Sequence, residues 1–273
     1  MTTPGAPGKY KHWLFSLKYF VPGMRRVRLY CLGTNKSGTH SIAGMFSRHM
    51  HTQHEAEAEL LIQTILDAAS GRIAREEMTR WVCARDRRLA LEVDSSQLNF
   101  FLHDILLSEF PDARFVLTIR DCYAWLDSLI NHVLNHPQAS PTWTQMRDFR
   151  FRPDLFTHAP EEQLLKENGL HTLDGYLSYW AAHNGQVVDR TPADRLLVVR
   201  TEQIRHRAFE IAGFAGLPHH TVNLERTHSF KSPRQFNIVR QLDRDFLEQK
   251  VEKYCRPLML RFFPEIRSLD DIK

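Results

Sequence analysis

The sequence has few cysteines, no apolar run long enough to cross a bilayer, and no internal repeat, low-complexity tract or linker. Each shortage excludes a class of protein. Four cysteines, Cys31, Cys83, Cys122 and Cys255, are scattered through 273 residues, far above the size at which a domain needs covalent staples. No disulfide framework is expected, and reduced thiols in a cytoplasm are. Fifteen histidines are present, but no C-x-x-C or H-E-x-x-H spacing gathers them, so no metal site is expected. The apolar stretch Trp13 to Phe20 is broken by Lys18. It falls well short of the roughly 20 residues a membrane span needs, and no small-residue cleavage site accompanies it. It reads as an aromatic arm on the surface, with neither export nor a membrane anchor. Residues 1–9 read as a mobile leader, and nothing marks a second domain within 1–273.

Neither sign of charge dominates. Thirty-six basic residues stand against 32 acidic ones, for a formal net charge of +4 and a pI near 8.9. That balance suits a small phosphorylated ligand better than a nucleic acid. With 42% hydrophobic residues the chain can bury a full core.

Short β-rich runs alternate with helical patterns. Val27 to Leu32, Leu89 to Asp94, Arg114 to Ile119 and Arg195 to Arg200 read as buried strands. Helices are predicted over 55–69, 74–85, 101–110, 121–134 and 202–215, with a further one from about Leu242 to Arg261 that either pairs with a second chain or docks on the core. Strand–helix alternation predicts a three-layer α/β fold whose mostly parallel central sheet is covered on both faces. Between Asn135 and Thr172 the periodicity dissolves over a length unusual for a loop, which reads as a substrate-facing insertion or a surface excursion.

The first strand runs into Gly33-Thr34-Asn35-Lys36-Ser37-Gly38-Thr39-His40-Ser41 and then a helix. Such a P-loop-like turn binds phosphate, because backbone N–H groups and the positive end of the helix dipole converge there, and Thr39 and Ser41 add hydroxyls. The two glycines have the spacing of a nucleoside-triphosphate loop, but Thr39 stands where that loop needs lysine. The lysine comes earlier, as Lys36, where it can neutralise a leaving group.

K-S-G-T opening a helix resembles the 5′-phosphosulfate loop of sulfotransferases that use 3′-phosphoadenosine 5′-phosphosulfate (PAPS). Arg120, ending the strand 114–119, with Ser128 eight positions on, is similar to the family's second signature. An arginine fork and a hydroxyl can converge on one phosphate, and the resemblance implies that this pair holds the 3′-phosphate. Leu196 to Glu202 looks like the family's late strand and R-x-E turn. Ser229 to Arg234 resembles its closing loop, in which Phe230 stacks on adenine or packs in the core, and Lys231 and Arg234 cover the 3′-phosphate, although they depart from the usual Arg-Lys-Gly order. The resemblance spans residues 33 to about 234. It implies that PAPS, bound through Asn35, Lys36, Ser37, Gly38, Thr39, His40, Ser41, Arg120 and Ser128, gives its sulfuryl group to a hydroxyl or amine and leaves as 3′-phosphoadenosine 5′-phosphate (PAP), without a metal.

A general base must take the acceptor's proton. Glu55 is favoured, with His54 and Glu57 as alternatives, against the reading that these glutamates form an acidic first helical turn. Asp94 stands where the family often has lysine, and reads as an acceptor contact or as a helix N-cap. His103, His132 and His136 are lesser base candidates. A small molecule, lipid or carbohydrate acceptor fits equally, and oligomeric state is not legible. A P-loop kinase of a nucleotide or small molecule, and a non-catalytic nucleotide-binding protein, are the competing readings.

Overall fold

The computed structural model describes residues 25–137, 140–227 and 234–272. Five strands, β1 (Leu29–Cys31), β2 (Thr52–His54), β3 (Val93–Ser95), β4 (Arg114–Ile119) and β5 (Leu196–Arg200), form one all-parallel sheet in the order β2-β3-β1-β4-β5. Parallel strands need crossovers, and helices supply them. Helix α1 (Thr39–Phe46) follows β1; α2 (Ala58–Ala69) and α3 (Arg75–Leu89) join β2 to β3; α4 (His103–Glu109) leads to β4. Helices α5 (Cys122–Asn135), α6 (Pro141–Phe151), α7 (Gln163–Glu167) and α8 (Leu173–Arg190) separate β4 from β5. After β5 come α9 (Ala208–Phe214), α10 (Ile238–Gln241), α11 (Arg244–Tyr254) and α12 (Arg256–Phe262).

Alternation along the strands sends side chains into two layers. Tyr30, Leu32, Phe115 and Leu117 pack with Leu61, Ile62 and Ile65 of α2 and with Met78 and Val82 of α3. Leu29, Cys31, Val116 and Val199 pack on the opposite face with Ile42, Met45 and Phe46 of α1 and with Ile211 of α9. At the end of β4, Ile119 joins a third cluster built by Trp125, Tyr176, Trp180, Leu247, Val251 and Met259. This is the expected three-layer α/β arrangement, with strands apolar on both faces. None of the four cysteines is in a disulfide, and among the described residues no helix is long and apolar enough to cross a membrane.

Several elements differ from the sequence expectation; the strand expected over 89–94 is Val93–Ser95, since α3 runs on to Leu89, and the helix expected over 202–215 begins at Ala208. The helix expected over 55–69 begins at Ala58, because β2 occupies Thr52–His54 and both Glu55 and Glu57 turn left-handed, at φ 52° and 54°. A polar, half-covered edge strand carries no apolar alternation to betray it. The stretch 135–172 contains α6 and α7; Ser140 caps α6 by accepting from Trp143 N, with Pro141 in the first turn, and Phe151 packs on Tyr176 at 4.7 Å. The helix expected over 242–261 divides at Cys255 into α11 and α12, and buries Leu247, Val251, Cys255 and Met259 in the third cluster. The amino-terminal leader and aromatic arm lie outside the described residues.

The longest helix, α8, is tied to the sheet by a buried histidine. His183 Nε2 donates to the Leu32 carbonyl at 2.5 Å, so Nδ1 is the acceptor for the Tyr179 hydroxyl at 3.1 Å, and the ring stacks on Phe100 at 4.1 Å. Burial pushes His183 down to about 3 and His103 down to about 4, from 6.5. These folded values lie below the unfolded one, so the unfolded chain binds protons that the folded chain refuses. Stability should therefore be whole above about pH 6.5 and decline as the pH falls toward 4 and then 3. Urea midpoints taken from about pH 7.5 down to about pH 4.5 test this, and a midpoint constant over that range would contradict it.

Candidate active site

The site lies at the carboxyl ends of β1, β2, β3 and β4, where open α/β sheets bind ligands. Leaving β1, the chain turns back over β4 through Gly33. A β-carbon there would sit 1.9 Å from Thr118 Oγ1 and 2.4 Å from Ser37 Oγ, so only glycine allows the approach. Ser37 is fully buried; its hydroxyl donates to Thr34 O at 2.6 Å and lies 3.1 Å from Thr118 Oγ1. Its side chain thus serves the loop's own wall, and its N–H also donates to Thr34 O at 3.2 Å. Thr201, just past β5, donates to both Ser37 O (2.6 Å) and Ile119 O (3.1 Å). Trp125 Nε1 donates to Asn35 O at 2.9 Å.

Positive φ at Lys36 (64°) and Gly38 (105°) folds the loop into the kind of turn that aims successive N–H groups to one side. Gly38 caps α1, and the N–H groups of Gly38 and Thr39 make no hydrogen bond among the described residues. They point from the positive end of the helix dipole. Ser41 stands in the same first turn, half-buried, and His40 is exposed.

Lys36 lies in this loop, within reach of the Arg120 charge at the end of β4. Burial, and then the Arg120 charge, lower the Lys36 ammonium below its ordinary value. Burial likewise lowers the Arg120 guanidinium, opposed by the charges of Asp121, Asp127 and Glu202. Ser128 is half-buried on α5, two turns beyond Arg120. Burial, with a contribution from Lys36, also drives His132 down to about 4, which leaves it a neutral imidazole beside the cations.

Opposite the loop, Thr39 Oγ1 lies 3.1 Å from His54 Nε2, and the His40 and His54 rings meet edge-on at 5.0 Å. His54 is lowered by burial, against the opposing charge of Glu55. Glu55 N donates to Ser95 O at 3.1 Å, and Glu55 Oε1 accepts from Gln97 Nε2 at 2.5 Å. Glu57 is taken by Arg88 in a two-pronged pair that holds its carboxyl below the usual range. Asp94 is buried against Arg85 at 2.8 Å, leaving no face for an acceptor; the cap once assignable to it is Ser96, which accepts from Leu98 N. Of the expected carboxylates, Glu55 alone remains open toward the loop.

Arg234 sits at the far end of α5, its carbonyl accepting from Asn135 and its guanidinium over the Phe236 ring at 4.7 Å. Phe230 and Lys231 lie outside the described residues. His103 is buried against Thr191 at 2.9 Å, and the His136 ring packs on His132, its Nδ1 2.9 Å from the His132 carbonyl. Sequence reasoning missed the supports: Thr118, Trp125, Thr201, Gln97 and Arg150. Thr201 had a weak signal, within Arg200-Thr201-Glu202. Arg150 had none, since it lies in the aperiodic stretch. Among the described residues no three His, Cys, Asp or Glu side chains are grouped to hold a metal ion.

Residues 28–204 match the family described as "Sulfotransferase domain". Among solved structures, the chain is similar to a sulfotransferase domain from the Synechococcus PCC 7002 olefin synthase, at 14% identity over 81% of this chain and 82% of that one, with a TM-score of 0.41. It is also similar to the sulfotransferase STF9 from Mycobacterium avium, at 13% identity over 91% and 81%, with a TM-score of 0.43. No curated protein matches it.

The contact at Gly33 has a direct test. Gly33→Ala should cost about 1–3 kcal/mol by overpacking against Thr118, whereas Gly213→Ala, in α9 with nothing within 4 Å, should be neutral or gain up to about 1 kcal/mol. Equal urea midpoints for the two variants would show that the loop does not press on β4.

Proposed function

The chain belongs to the sulfotransferase domain family, and on that premise we propose that it transfers the sulfuryl group of PAPS to a hydroxyl or amine of a small-molecule acceptor. One observation supports this donor: the Arg120 charge reaches Lys36, beside N–H groups of Gly38 and Thr39 that make no hydrogen bond among the described residues. The N–H groups of Gly38 and Thr39, with the hydroxyls of Thr39 and Ser41, would hold the 5′-phosphate. Arg120 and Ser128 would hold the 3′-phosphate.

In the reaction the acceptor's oxygen or nitrogen forms a bond to sulfur as the bond from sulfur to the bridging oxygen breaks on the opposite side. Lys36 neutralises the charge gathering on that bridging oxygen, and the departing product is PAP. Glu55 accepts the acceptor's proton. It is favoured over His54, whose Nε2 is engaged with Thr39, and over Glu57 and Asp94, which arginines occupy. A kinase loop would require lysine after Gly38; here that position is Thr39, whose hydroxyl turns to His54.

Thermal melts with PAP, 5′-AMP and Mg·ATP separate the readings. PAP at about 100 times its Kd should add roughly 2.7 kcal/mol, and Arg120→Ala should abolish that gain. Stabilisation by Mg·ATP and not by PAP would overturn the proposal. Lys36→Ala should slow release of PAP from PAPS by about 100- to 1,000-fold, read in a single-turnover assay.

A further inference from the structure

Arg150, on α6, holds a buried guanidinium that makes no direct ion pair among the described residues. It is 6% exposed and lies among the rings of Phe101, Trp143 and Tyr179, at 5.8, 6.0 and 5.8 Å. Nη1 donates to Gln97 Oε1 at 2.6 Å, while Nε and Nη2 have no hydrogen-bond partner among the described residues. A buried charge is costly unless an opposite charge and hydrogen bonds compensate it. The compensation runs through one amide: Gln97, itself 7% exposed, turns its Nε2 to Glu55 Oε1 at 2.5 Å. Chemistry sets this amide's orientation, because a guanidinium only donates and an ionised carboxylate only accepts. Burial lowers the Arg150 guanidinium, and the Tyr179 and Glu55 charges oppose that loss.

The geometry points to Arg150 as a positioning residue that acts through Gln97 to hold the Glu55 carboxylate in place. This rests on the reading of Glu55 as the general base. Glu55 needs such a hold. It follows a three-residue edge strand, in a left-handed backbone conformation at φ 52°, and its side chain has three rotatable bonds to order. With Oε1 clamped from the Gln97 side, Oε2 has no hydrogen bond among the described residues and is the oxygen left to receive a proton. A shift of about 1 Å in a reacting group can cost about 100-fold in rate, so a rigid hold on this carboxylate matters to turnover. The cation that anchors it comes from within the stretch 135–172, so that stretch would contribute to the base as well as to any acceptor contact.

Gln97→Glu is the discriminating variant. It offers Arg150 a direct ion-pair partner, which a purely structural role would welcome, but it removes the donor to Glu55 and sets carboxylate against carboxylate. PAP release from PAPS is followed near neutral pH with water and with phenol, which keeps its proton there, as acceptors. The expected result is a urea midpoint no lower than wild type, a kcat lower by about 100-fold and a KM for PAPS changed by less than about threefold. In a Glu55→Gln background the same substitution should cost no more than about twofold, since the two changes act on one group. Wild-type kcat in Gln97→Glu, with Glu55→Gln inactive, would overturn the relay and leave the base standing. Wild-type kcat in Glu55→Gln would overturn the base and the relay with it. Independently of turnover, a crystal structure of Gln97→Met should show the Glu55 carboxylate displaced; its retention in place would also overturn the relay.

Discussion

The close approach of the loop over residues 33–41 to the end of β4 is the constraint on which the rest of the site depends. Gly33 leaves room for Thr118, the Ser37 hydroxyl fills the gap, and Thr201 clasps the Ser37 and Ile119 carbonyls from the neighbouring strand end. The buried hydroxyls of Ser37, Thr118 and Thr201 are tolerated because each finds a partner. The consequence is electrostatic. With the loop pinned, Lys36 is held partly buried within reach of the Arg120 charge, and both effects lower its ammonium. Preorganisation of this kind is built during folding, so little reorganisation is left for the moment of reaction.

The facing side of the site is made by different means. No glycine is required there, and the groups are ordered by pairing carboxylates with arginines. Arg85 takes Asp94, Arg88 takes Glu57, and Arg150 reaches Glu55 only through Gln97. Direct pairs consume a carboxylate's capacity to act as a base, while a single amide contact leaves one oxygen open. The sorting of three neighbouring acidic residues into two structural roles and one chemical candidate is therefore a matter of which cation touches which oxygen.

Much of the architecture was legible because the central strands are short, mostly apolar and bounded by turns; Arg114 to Ile119 needed no tertiary knowledge to be recognised. Strand β2 was not legible, since Thr52-Gln53-His54 sits at the sheet's edge and has no apolar face to bury. Helix α6 was hidden for a related reason: its buried face includes Arg150 beside Met146 and Phe151, and a charged residue in a core position breaks the pattern from which a helix is read.

By itself the sequence determined the fold class, the glycine-containing turn after β1 and the eight-residue spacing of Arg120 and Ser128, because these rest on local pattern: a strand, a tight turn and a helix N-terminus need only a few adjacent residues. Tertiary structure alone decided which carboxylate is open, since that depends on Arg85, Arg88 and Arg150, which lie 9, 31 and 53 positions from Asp94, Glu57 and Gln97 in the chain. Contacts over such separations follow from how helices pack on the sheet, and no local pattern encodes them.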